Sequence, residues 1–126
     1  MKRDMDIVRE ILLAVEDGFQ AFGGSKVAEI EGRFPWPAQI VHEHLHLMLE
    51  AGLLEKLGES RHAKLLHIRG LTWEGHDFLD TVRDPDVWKR TKEGASRMGG
   101  WTFGLLKDLG TAYLKHVAKE RLGLDL

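Results

Sequence analysis

Ile7, Ile11 and Val15 recur at helical spacing, with Val8 and Leu12 beside them and Arg9, Glu10 and Glu16 turned away. The stretch from Asp4 to Glu16 therefore predicts an amphipathic helix with a broad apolar stripe. Residues 17–36 are interrupted by Gly18, Gly23, Gly24, Gly32 and Pro35, and only Val27-Ala28-Glu29-Ile30-Glu31 alternates, as a short edge strand would. Pro37 suits the first turn of a new helix, where its missing N–H costs nothing. Val41, Leu45 and Met48 give that helix one stripe up to Ala51-Gly52, where a left-handed glycine would stop it. Leu53 to Leu57 and Leu65 to Ile68 are apolar runs on either side of Gly58-Glu59-Ser60-Arg61-His62, a pattern that predicts a hairpin whose loop forms a wing.

Thr72 can cap the next helix with its hydroxyl, Glu74 adds favourable charge in the first turn, and Phe78, Leu79 and Val82 point inward. Asp84-Pro85 ends that helix and starts another, with Val87, Trp88, Thr91, Ala95 and Met98 on its apolar side and Gly99-Gly100 as its stop. A last helix, Trp101 to Arg121, aligns Leu105, Leu106, Leu109, Ala112, Tyr113 and Val117 and closes at Gly123. The expected fold is mainly α with a small β-hairpin: a winged helix-turn-helix-like domain over residues 1–84 and a C-terminal helical extension over 85–126. Val41, Leu45, Met48, Leu53, Leu66, Ile68 and Leu79 are expected to share one core with Ile7, Ile11 and Val15.

A chain of 126 residues is ample for a single core and short for two. No run approaches membrane-spanning length, and the acids in Met1-Lys2-Arg3-Asp4-Met5-Asp6 fall where a signal peptide needs an apolar stretch, so a cytoplasmic location is expected. The absence of cysteine removes disulfides, thiol catalysis and thiolate metal sites. With a net charge of -2, and nine Lys/Arg against nine Asp/Glu in residues 71–126, composition does not imply a nucleic-acid partner.

The opening MKRDMDIVREILLAVE, the central HLHLMLEAGLLE, the phrase LTWEGHDFLDTVRDPDVWKR and the ending LLKDLGTAYLKHVAKERLGL together resemble a bacterial and prophage family known as a domain of unknown function. The resemblance implies a small winged-helix-like protein, often encoded in mobile elements, with no established activity. Val41, His44, Leu45, Met48, Ala51, Gly52 and Leu53 also resemble the V-x-x-H-L-x-x-L-x-x-A-G-L recognition helix of arsenic-type winged-helix repressors. Such likeness is an analogy for function. One departure stands out: a helix-turn-helix has a support helix before the recognition helix, yet the stretch before Pro37 offers either a single turn or the strand at Val27 to Glu31.

If the helix after Pro37 enters a major groove, Gln39, His42, Glu43 and His46 form the reading face, Gln suiting adenine edges and Glu cytosine amino groups. No Lys or Arg occurs from Pro37 through Leu54, and Glu43 and Glu50 would repel phosphates. Arg61, His62 and Lys64 cluster in the wing and could grip phosphate or a minor groove, although such a loop can equally be solvated. His42-Glu43-His44-Leu45-His46 satisfies H-E-x-x-H, the zinc-protease pattern. The longer protease motif is missing, because Leu49 and Leu53 stand where its glycine and last histidine would be, which leaves only Glu74 or His76 as a third ligand. His42 and His46 are expected to be solvated instead. Gly23-Gly24-Ser25-Lys26 reads as a turn, and Trp36, Trp73, Trp88 and Trp101 as core anchors. The expectation is a non-enzyme without cofactor that binds double-stranded DNA, or alternatively a host or phage protein, as a homodimer through Leu106, Leu109, Tyr113 and Val117.

Overall fold

The computed structural model describes residues 2–18, 25–56 and 67–123. Its elements run α1 (Met5–Asp17), β1 (Ser25–Lys26), α2 (Val27–Gly32), α3 (Ala38–Glu50), β2 (Leu54–Lys56), β3 (His67–Leu71), α4 (Trp73–Val82), α5 (Pro85–Met98) and α6 (Phe103–Leu122). They divide into two compact units, Met1–His76 and Asp77–Leu126, the division falling within α4.

In the first unit, α1 begins where the Asp4 carboxylate accepts the Asp6 N–H at 2.9 Å. The helix buries Met5, Ile7, Val8, Ile11, Leu12 and Val15. It packs against α3 and β3, and α2 packs against α3. The expected strand at Val27 to Glu31 is a helix: the strand is Ser25–Lys26, and Val27 and Ile30, three apart, are both buried on one face of α2. The five residues alternate and also satisfy helical spacing, so period alone could not separate the two forms. The support helix that the sequence left open is thus α2, only six residues long.

The end of α3 is fixed by backbone geometry. Gly52 takes φ 75°, its N–H reaches the Leu49 carbonyl at 3.1 Å, and the Leu53 N–H reaches Met48 at 2.9 Å. That pair of bonds uses carbonyls the helix would leave open, and glycine adopts the required left-handed turn without a Cβ penalty. The chain then enters β2. The antiparallel hairpin pairs Leu54 with Leu71 and Glu55 with Gly70, then skips Arg69 so that Lys56 faces Ile68. On the other side of β3, Ser25 and Lys26 pair with Ile68 and His67, making a three-stranded sheet in the order β1-β3-β2. Leu66 and the expected wing lie outside the described residues.

The end of α3 and the start of α4 meet where β3 becomes α4. The Thr72 N–H donates to the Leu53 carbonyl, its hydroxyl donates to the Gly52 carbonyl, and the same oxygen accepts the Gly75 N–H. Gly75 is a steric requirement, since a Cβ there would lie 2.1 Å from the Leu53 carbonyl oxygen. Val41, Leu45, Met48, Leu53 and Ile68 are buried with the α1 stripe, as the spacing predicts. Leu79 is buried too but belongs to the second unit.

In the second unit, Asp84 caps α5 by accepting the Val87 N–H at 3.1 Å, Pro85 stands in the first turn, and Gly99 closes the helix at φ 73°. Val87, Trp88, Thr91 and Ala95 are buried, whereas Met98, expected on the same side, is exposed. Thr102 caps α6 and Gly123 ends it. The helices α5 and α6 lie along each other, and small residues allow close approach between α5 and α6 at Gly94 and between α6 and α4 at Gly110. A Cβ on Gly110 would meet Thr81 Cγ2 at 2.9 Å, and one on Gly94 would meet the Tyr113 hydroxyl at 2.9 Å. Phe78 and Phe103 pack ring to ring with centroids 4.7 Å apart.

Candidate functional site

Packing decides which face of α3 is available. Val41, His44, Leu45 and Met48 point inward, while Gln39, His46 and Glu50 are exposed and His42 and Glu43 are partly covered. The exposed arc is polar at Gln39, His42, Glu43, His46 and Glu50, with Leu47 and Leu49 half-buried at its margins. The Gln39 amide donates to Glu43 Oε1 at 3.4 Å. His42 Nδ1 lies 3.0 Å from Glu31 Oε1 on α2, and His42 Nε2 lies 3.1 Å from His46 Nε2 one turn later. A carboxylate only accepts, so His42 Nδ1 carries the proton and its Nε2 presents a lone pair to His46. Glu31 was not among the expected site residues. Its part depends on α2 being helical, which the alternating pattern concealed.

His44 is fully buried, unlike its two neighbours. The Asp4 N–H donates to its Nε2 at 2.9 Å, and its Nδ1 lies 2.8 Å from the Ile40 carbonyl. The ring is thereby held as the Nδ1–H tautomer, with both nitrogens satisfied. Its position three residues after Val41 and one before Leu45 already places it on the buried arc.

No cation lies on this helix, and those of the first unit are carried by other elements. Lys26 and Lys56 are exposed, Arg33 reaches the Ala14 carbonyl and Asp17, and Arg69 stands 3.9 Å from Glu55. Arg61, His62 and Lys64 lie outside the described residues. Neither Glu74 nor His76 joins the His42/His46 pair as a third ligand, and His76 Nδ1 is instead 3.7 Å from Glu16. Among the described residues no group of three or more His, Cys, Asp or Glu is arranged to hold a metal ion.

Of the four tryptophans expected as anchors, only Trp88 is buried; Trp36 stacks on Phe34 at 4.9 Å, Trp101 is exposed, and Trp73 is 80% exposed. Trp73 opens α4 immediately after the capping Thr72, a position at which the side chain does not fall on the inward face of Phe78, Leu79 and Val82. The α6 stripe expected to meet a second copy is largely used within its own unit. Leu106 and Val117 are buried, and Leu109 and Tyr113 approach α5 at Gly94. Arg121 near the end of α6 bonds Asp84 at 2.9 Å and Asp86 at 2.8 Å. The Arg121 hydrogen bond, aided by the Val87 N–H, holds the Asp84 carboxyl below its ordinary range.

The order helix, strand, helix, helix, strand, strand, with a short helix before α3 and further helices after the sheet, gives a mainly helical fold with a small antiparallel hairpin, consistent with the winged-helix-like class. The chain belongs to the family described as hypothetical protein DUF2513, whose model matches residues 2–101. It is similar to an uncharacterized protein of Haemophilus influenzae, with 36% identity over 93 residues, covering 73% of this chain and 76% of the relative. No solved structure gives a significant match. No helix among the described residues is long and apolar enough to cross a membrane.

Proposed function

We propose that the protein binds double-stranded DNA through α3, as a regulatory protein of modest affinity. The observation that carries this reading is the outer face of α3, where Gln39, His42, Glu43, His46 and Glu50 present hydrogen-bonding groups, with Leu47 and Leu49 half-buried at its margins. A helix that docks on a protein draws most of its energy from aromatic or aliphatic anchors. A helix that reads a major groove works through polar side chains on base edges. Residues 1–76 contain nine Lys/Arg against twelve Asp/Glu, so phosphate attraction is weak and depends on cations outside α3. Lys26 and Lys56, with Arg61, His62 and Lys64 of the sequence-predicted wing, are the candidates for that role.

Fluorescence anisotropy with a labelled duplex of mixed sequence tests the proposal. Expected is binding at low salt that weakens steeply as salt rises, a uniform loss with Arg61→Ala plus Lys64→Ala, and a sequence-dependent loss with Gln39→Ala. Absence of binding to any duplex at low ionic strength overturns it. The alternative, contact with a host or phage protein without DNA, is favoured by the exposed Trp73, an aromatic of the kind that anchors protein interfaces.

A further inference from the structure

We propose that His42 and His46 form a two-nitrogen site for a zinc-class divalent ion, with Glu31 as the residue that orients the first ligand. Three observations support it. The two Nε2 atoms converge to 3.1 Å across one turn of α3. Zinc holds imidazole nitrogens at about 2.0–2.1 Å, so two ligands on one ion stand about 2.9–3.4 Å apart for angles between square and tetrahedral. The observed separation falls inside that interval. The ring centroids lie 4.7 Å apart with planes inclined by 69°.

The second observation is Glu31. A histidine that ligates a metal almost always gives its other ring N–H to a carboxylate or carbonyl, which fixes its tautomer and raises its basicity. Here the carboxylate lies 3.0 Å from His42 Nδ1 and its side chain is only 19% exposed, brought from a separate helix by the packing of α2 on α3. The third observation is the chemistry of the site. Two imidazoles without thiolate or ligating carboxylate suit zinc, nickel and copper, and are poor ligands for magnesium or calcium. No further protein group completes the set among the described residues, so water takes the remaining positions.

In the metal-free protein, His46 Nε2–H donates to His42 Nε2. When the ion enters, the His46 proton passes through solvent to its exposed Nδ1, both Nε2 lone pairs go to the metal, and no net proton is released. The site does not depend on the DNA reading, because it is measured with metal alone.

Isothermal titration calorimetry of the full chain with zinc chloride, then nickel chloride, in a non-coordinating buffer near neutral pH gives the test. One ion per chain in the micromolar range is expected, and no heat with magnesium chloride. His46→Ala, an exposed position that leaves the core intact, should weaken zinc binding by at least about 30-fold, and Glu31→Gln by about tenfold, the lower end of the usual effect of such partners. Histidine ring resonances give a separate readout, with zinc shifting His42 and His46 and leaving buried His44 in place. Absence of binding by the wild type, or unchanged affinity in His46→Ala, overturns the site. A Glu31→Gln affinity equal to that of the wild type overturns the orienting role assigned to Glu31.

Discussion

Glycine is used at close contacts in both compact units, but against different neighbours. In the first unit, Gly75 faces a backbone carbonyl, that of Leu53. In the second, Gly110 and Gly94 face side chains, those of Thr81, Val82 and Tyr113. A side chain can change rotamer or swing aside, whereas a carbonyl already engaged by the Thr72 N–H can move only if the strand junction moves with it. Gly75 is therefore less forgiving than Gly94 and Gly110, and its tolerance is set by main-chain geometry.

Three substitutions by alanine rank that difference. Gly75→Ala is expected to have the largest effect, a loss of about 3 kcal/mol or more by urea denaturation, because overpacking against backbone has no local relief. If it proves neutral, the carbonyl can move and the contrast collapses. Gly110→Ala should cost about 1–3 kcal/mol, the usual range for an extra methyl that neighbouring side chains must accommodate. Gly94→Ala should change stability by less than about 1 kcal/mol in either direction, since the gain in helix propensity offsets displacement of the Tyr113 hydroxyl. Parallel thermal melts of the three variants are enough to order them.

The smallest effect belongs to the pair between Asp84 and Arg121. Its carboxyl is held below its ordinary value of 3.8, so the pair adds stability that is complete above that value and is lost as the pH falls through the folded-state value below it. Asp84→Asn should therefore lower stability slightly at neutral pH and leave it unchanged in acid, so that the two profiles converge as the pH falls; the neutral-pH loss is small because the pair is exposed and screened. An equal shift at all pH values would assign the effect to the helix cap instead.

These features were unevenly legible in the sequence. Asp84, Pro85, Gly99 and Gly52 announce their roles through local chemistry, because caps and left-handed stops depend on one or two residues. The stripe of Val41, Leu45 and Met48 was equally plain. The helix α2 was not, since Val27 and Ile30 fit both periods and the segment is too short to choose between them. The partnership of Glu31 with His42 was hidden for the same reason, and Gly75 shows its constraint only when two distant segments meet. Trp73 and Met98 mark another limit: a large apolar residue at the start or end of a helix is not committed to the core by pattern alone.

His44 has a practical consequence. Its ring joins the N–H of Asp4, just before α1, to the fourth residue back on α3, and this leaves a single tautomer in the folded protein. The imidazole nitrogens are therefore a built-in spectroscopic reporter of whether the first helix is seated on the third. Loss of the Asp4 contact would appear as a shift of the Nε2 resonance of one buried ring, whose Nδ1–H stays on the Ile40 carbonyl, without a dye, a tag or a substitution.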